Sequence, residues 1–216
     1  MLKQRLVPLF TAIGLQISAV AATYTVTTTA DAGPGSLREA IAAANASPGP
    51  DIIEFNILPA DVVHVIELAS GLPPVTDPVT LDGLTQPGAL PNSLAYGFNA
   101  TNLVTLAGGN LGNPLPGPKP GPSPGDPTTN VIHGLDLRSD NITVRGLRFV
   151  GFVTGGDVTN CRSAIFVREV NHTVIESCVF GVDQSTSIGS PNYGAITVVN
   201  GAFTRIGGTN TAQRNL

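Results

Sequence analysis

The chain has 216 residues and a formal net charge of −4, with 25 glycines, 18 prolines and 12% charged residues. A mildly acidic chain of this kind is a poor ligand for nucleic acid or anionic lipid, so neither is expected as a partner. Its 42% hydrophobic content with only 5% aromatics describes a core of Val, Ile, Leu and Ala, which suits stacked strands better than a helical bundle.

Residues 1–22 read as a secretory leader: Lys3 and Arg5 form a basic start, an apolar run extends from Leu6 to Val20, and Ala19-Val20-Ala21 offers a small-x-small cleavage site. The alternative is an uncleaved membrane anchor, against which stand the shortness of the run and the presence of Pro8 and Gln16. No later run is long and apolar enough to span a bilayer, so no membrane span is expected after cleavage, and the mature chain is expected to be secreted, extracellular or at the cell surface. Loss of Lys3 and Arg5 leaves 9 basic against 15 acidic residues, a charge of −6.

Residues 23–60 are expected to form an N-terminal cap segment of strand, helix and strand. The helix, over 36–45, is the only one the sequence announces. Ser36 and Glu39 have capping-box spacing; Leu37, Ala40, Ile41 and Ala44 share one face, with Arg38 and Glu39 turned outward; and Asn45, Pro48 and Gly49 end it. A one-faced helix of this length can cover the raw first layer of a strand stack. Presentation of a ligand site is the competing reading of the same helix.

Residues 61–216 carry a repeat. "ITVRGLRF" (142–149) lies over "TVIESCVF" (173–180) at an offset of 31, and Ile206 continues the series from Val144 and Ile175. "SAIFVREV" (163–170) maps on "GAITVVNG" (194–201) at the same offset, and "GLDLRSDN" (134–141) is an earlier copy one residue out of step. "PVTLDGLTQPG" (78–88) places Leu81 and Gly83 where Val144 and Gly146 stand later, and "TNLVTLAGG" (101–109) reads as another strand. The Gly/Pro-rich stretch at 109–130 cannot join a ladder and is expected to bulge as a solvated loop; a linker between two domains is the alternative. Asn141, Asn171 and Asn200 fall near the bends, where asparagine tolerates left-handed backbone. Side chains alternate with period two, so each repeat buries its apolar side only by stacking on the next. The fold class expected is therefore all-β: a right-handed parallel β-helix, or solenoid, with one short N-terminal capping α-helix. A sandwich of antiparallel hairpins is the competing fold.

"TVTTTADAGPGSLREAIAAANASPGPDIIEFNI", "VTLDGLTQPG", "ITVRGLRFVGF" and "FTRIGGTNTAQRNL", in that order, resemble bacterial secreted or surface right-handed parallel β-helix proteins whose N-terminal segment is called the CSLREA domain. The resemblance implies a pectin-lyase-like fold over nearly all the mature chain. Gly35 stands where that family often has cysteine, and "AQRNL" falls inside a motif such proteins extend with further coils. The chain accordingly reads as truncated at its C-terminus, with no apolar, one-sided segment after Ile206. Its last coil is expected to stay open to self-association.

Two classes of function compete. One is a non-catalytic secreted or cell-surface module for adhesion or glycan contact; the other is a polysaccharide lyase or glycoside hydrolase. Such hydrolases need paired carboxylates in one groove, and such lyases need a base beside calcium-binding aspartates. Asp82, Asp136, Asp157, Glu176 and Asp183 are scattered instead, which favours the first class, and no catalytic residue is assigned. Arg145 and Glu176 share the repeat position and read as a cross-strand ion pair. His64, His133 and His172 are isolated, read as turn or surface histidines, and no metal or cofactor site is expected. Asp183, Gln184, Ser185, Thr186 and Tyr193, in the loop "GVDQSTSIGSPNYG", are the candidate glycan contacts, with turn chemistry as the competing account; a polysaccharide or a host or cell-surface glycan is the partner they would take. Cys161 and Cys178 are the only cysteines; an exported chain permits a disulfide between them, and an inward packed Cys178 is the alternative.

Overall fold

The computed structural model describes residues 20–109, 111, 132–153, 162–182 and 191–216. The leader up to residue 19 and nearly all of the Gly/Pro-rich stretch lie outside the described residues. In chain order the elements are β1 (Thr23–Val26), α1 (Leu37–Ala46), β2 (Asp51–Phe55), β3 (His64–Glu67), β4 (Val79–Asp82), β5 (Val104–Ala107) and β6 (Leu135–Leu137). There follow β7 (Thr143–Arg145), β8 (Leu147–Val150), β9 (Ser163–Arg168), β10 (Val174–Glu176), β11 (Val179–Phe180), β12 (Gly194–Val199) and β13 (Arg205–Ile206).

These strands form three separate parallel sheets: a six-stranded one in the order β1-β2-β4-β7-β10-β13, a four-stranded one in the order β11-β8-β5-β3 and a three-stranded one in the order β12-β9-β6. The expected all-β, right-handed parallel β-helix is corrected by this division. The architecture is mixed α/β, three parallel sheets side by side with a ten-residue α-helix, and not a single solenoid. The cause is local. Strands of two to six residues end at bends such as left-handed Gly146 and Ser177, so the chain leaves one ladder and enters another before a long strand can form.

Register follows the sequence repeat. Val144 pairs with Ile175, Phe149 with Phe180 and Ile165 with Ile196, each at 31, whereas Leu135 pairs with Ile165 at 30. On the inward side of the six-stranded sheet, Ile53, Leu81, Val144 and Ile175 form a continuous row with no exposed surface, each contributing about 1.5–3 kcal/mol by burial. Phe149 and Phe180 stack at 5.3 Å in the same core. The bend before each of these strands repeats as well: Asn141, His172 and Phe203 have φ of 59°, 57° and 55°, and the His172 and Phe203 rings stack at 5.0 Å. Asn171 therefore does not occupy the left-handed position expected of it. Its N–H donates to Asp140 Oδ1 at 2.6 Å and its own Oδ1 accepts from Ala202 N–H at 3.2 Å.

Helix α1 buries Leu37, Ala40, Ile41 and Ala44 against β1 and β2, the face its periodicity predicts. Ser36 Oγ accepts from Glu39 N–H at 3.2 Å, while the Glu39 carboxylate reaches one residue further back than a capping box requires, to Gly35 N–H at 2.7 Å. Gly35 has φ of 76°, and a Cβ there would stand 2.3 Å from Thr27 Oγ1. Arg38 is not turned to solvent. It clamps Asp31 at 2.7 Å and the carbonyls of Ser70 and Gly71, tying the helix to the segment after β3.

The last residues pair with the chain instead of trailing from it. Leu216 N–H donates to Cys178 O at 2.9 Å, Phe180 N–H to Leu216 O at 2.8 Å, and Cys178 N–H to Asn215 Oδ1 at 2.8 Å. The segment after Ile206 thus covers the edge of β11, a cover the sequence reading did not foresee because it is polar and held by backbone groups.

Candidate functional site

The described acids named above are not free to act as a catalytic pair. Asp82, 5% exposed, holds Arg145 at 2.5 Å, and Glu176 holds Arg205 at 2.8 Å. The ion pair expected between Arg145 and Glu176 is therefore corrected. Arg145 lies between two acidic neighbours, bonds the more buried one, and has its pKa raised first by that hydrogen bond. Asp136 holds Arg138 through two bonds of 2.6 and 2.9 Å. Asp157 and Asp183 lie outside the described residues. Among the described residues, no three of His, Cys, Asp and Glu converge on a metal-sized site.

The chemically richest surface is the outer side of the three-stranded sheet. Strand pairing sets Asp136, Phe166 and Thr197 in one row across β6, β9 and β12. The His133 ring stacks on Phe166 at 4.2 Å and 17°, and the Arg168 guanidinium lies 4.9 Å from the centre of the same phenyl ring. His133 Nδ1 accepts from Ser163 N–H at 3.2 Å, so any proton of the neutral ring is on Nε2. Ser163 Oγ and Thr197 Oγ1 are 2.6 Å apart. Burial lowers the His133 pKa to about 4, with Asp136 opposing the shift and Arg168, Arg138 and Arg162 adding to it. The ring is thus neutral at ordinary pH, and the Arg138 side chain, whose Nε and Nη2 both hold Asp136, is 45% exposed at the rim.

Of the five residues read as glycan contacts, Tyr193 alone is described; Asp183, Gln184, Ser185 and Thr186 lie outside the described residues. Tyr193 is half exposed, immediately precedes β12, and is fixed by its N–H to Phe152 O at 2.8 Å. Cys161 also lies outside the described residues. Cys178 is a free, fully buried thiol whose pKa is pushed up to about 12 by that burial, which makes it unreactive. The histidine readings are corrected for His64 and His133. His64 is 6% exposed with Nε2 at 2.9 Å from Pro59 O, and His133 is half-buried in the stack. The sequence reading missed His133, Phe166, Arg168 and Thr197 as a group. The signal was the alignment of 134–141 with 164–171 at 30 residues, which sets Asp136 over Phe166.

Elsewhere, a concavity of about 310 Å³ lies between Phe98, Thr101, Arg148, Val182 and Leu216. Arg148 is 2% exposed there and donates to Val182 O at 3.2 Å, so its charge serves the wall.

No known protein-family profile matches the chain, and no curated protein matches it.

Proposed function

We propose that this protein is a non-catalytic secreted or cell-surface module that contacts a glycan through the outer side of its three-stranded sheet, beside Tyr193. The observation that carries the reading is the His133–Phe166–Arg168 stack flanked by the Asp136–Arg138 pair. A sugar presents C–H faces to aromatic rings and paired hydroxyls to guanidinium or carboxylate groups, and both kinds of group meet on this surface. The likeness of residues 25–57 to CSLREA-type caps supports an exported role. The engagement of Asp82, Asp136 and Glu176 by arginines favours binding over hydrolysis or elimination.

Calorimetric titration with a panel of neutral and uronic-acid polysaccharides tests this. Binding is expected for at least one polymer, weakened about tenfold by Tyr193→Ala and by Arg138→Ala, with Tm unchanged. Absence of binding across the panel, or equal affinity in both variants, overturns the site. Unsaturated products or new reducing ends, with calcium present, overturn the non-catalytic reading in favour of a lyase or hydrolase.

A further inference from the structure

Asp51 opens β2 and is 1% exposed. Its Oδ1 accepts from Ala22 N–H at 2.7 Å, while Oδ2 is sealed from solvent with no hydrogen-bond partner. A carboxylate left half-satisfied in the interior is costly, and a single amide N–H cannot serve both oxygens. Ala22 is itself pinned, because its carbonyl accepts from Ile52 N–H at 2.8 Å at the start of the β1–β2 pairing. The chain before it turns outward, Val20 being 76% exposed.

Ala19-Val20-Ala21 places the small-x-small bond at Ala21–Ala22. We propose that cleavage there creates an Ala22 α-ammonium that pairs with the buried Asp51 carboxylate, so that removal of the leader completes the β1–β2 seam under the helix. The inference rests on the export reading. Water adds to the Ala21 carbonyl and the C–N bond breaks; the leader departs with the Ala21 carboxylate, and Ala22 keeps its nitrogen as an ammonium. One donor becomes three, and the site gains the positive charge that Asp51 lacks.

Two measurements separate the parts of this proposal. The mass of the exported protein is expected to begin at Ala22; any other start overturns the assigned bond. Independently, chains prepared to begin at Ala22 and at Val20 are compared by thermal unfolding, each also as Asp51→Asn. The Ala22 form is expected to melt about 4 to 8 °C higher, and the gap to close in D51N. Nα-acetylation of the Ala22 form, which removes the charge and leaves Asp51 intact, is expected to lower Tm as the extension does. Equal melting of the two starts, a gap that persists in D51N, or no effect of acetylation overturns the pairing.

Discussion

His133 is the residue whose surroundings most alter its chemistry. Packed on Phe166 and accepting from Ser163 N–H, it is held neutral, with its pKa lowered from 6.5 to about 4 chiefly by burial. Between those values the unfolded chain binds a proton that the folded chain refuses. The stability His133 contributes is therefore whole above pH 6.5 and is lost as pH falls toward 4. In urea titrations at pH 7.5 and 4.5, the native protein is expected to lose on the order of 2–3 kcal/mol more than His133→Gln across that interval. Parallel losses in the two proteins would show that His133 is protonated as readily folded as unfolded. Nothing in the residues flanking His133 announces this. A stacking partner on another strand becomes visible only once pairing is known, which is why a lone histidine reads as a surface one. The same holds for Asp82, whose acidic letter could equally mark a catalytic base or, as found, the anchor of Arg145.

At the scale of elements, the six-stranded sheet depends on close backbone approach between β4 and β7. Gly146, with φ of 71°, lies against the turn after β4, and a Cβ there would stand 2.6 Å from the Leu84 backbone nitrogen. Gly146→Ala is expected to cost about 2–4 kcal/mol, from left-handed strain and from a backbone clash that no rotamer relieves. Ile206 occupies the last place in the row of Ile53, Leu81, Val144 and Ile175 but is 53% exposed. Ile206→Ala is expected to cost less than about 1 kcal/mol. Denaturation midpoints of the two variants decide it, and a reversed order would mean that Ile206 is covered in solution. The pairing partners were legible because Val144, Ile175 and Ile206 recur at one spacing with alternating neighbours. The division into three sheets was not. A repeat spacing states which strands lie side by side, whereas the grouping depends on where bends such as Gly146 and Ser177 end one ladder, and short strands leave no pattern long enough to read.

Across the whole molecule, one apolar core is shared by the helix and all three sheets, and the last residues are bound to its surface by hydrogen bonds. Asn92, 1% exposed, donates to Thr211 O at 3.0 Å, and Arg214 donates to the carbonyls of Leu94 and Ala95, so a mid-chain loop holds the final residues in place. The wholly parallel pairing of the named strands has a kinetic consequence. The nearest partners in sequence, Asp51 on β2 and Val79 on β4, stand 28 residues apart, so no named pair of strands can form as a local hairpin. Closing even that loop costs about 3 kcal/mol of chain entropy before any contact returns it. Refolding after dilution from urea, followed by far-ultraviolet circular dichroism, is expected to recover the strand signal over milliseconds to seconds. Recovery complete within the mixing time would show that local structure forms first. Strands whose partners lie 28 or more residues away in the chain cannot pair until both segments have been synthesised, so no ladder of the named strands can be completed on a short nascent chain.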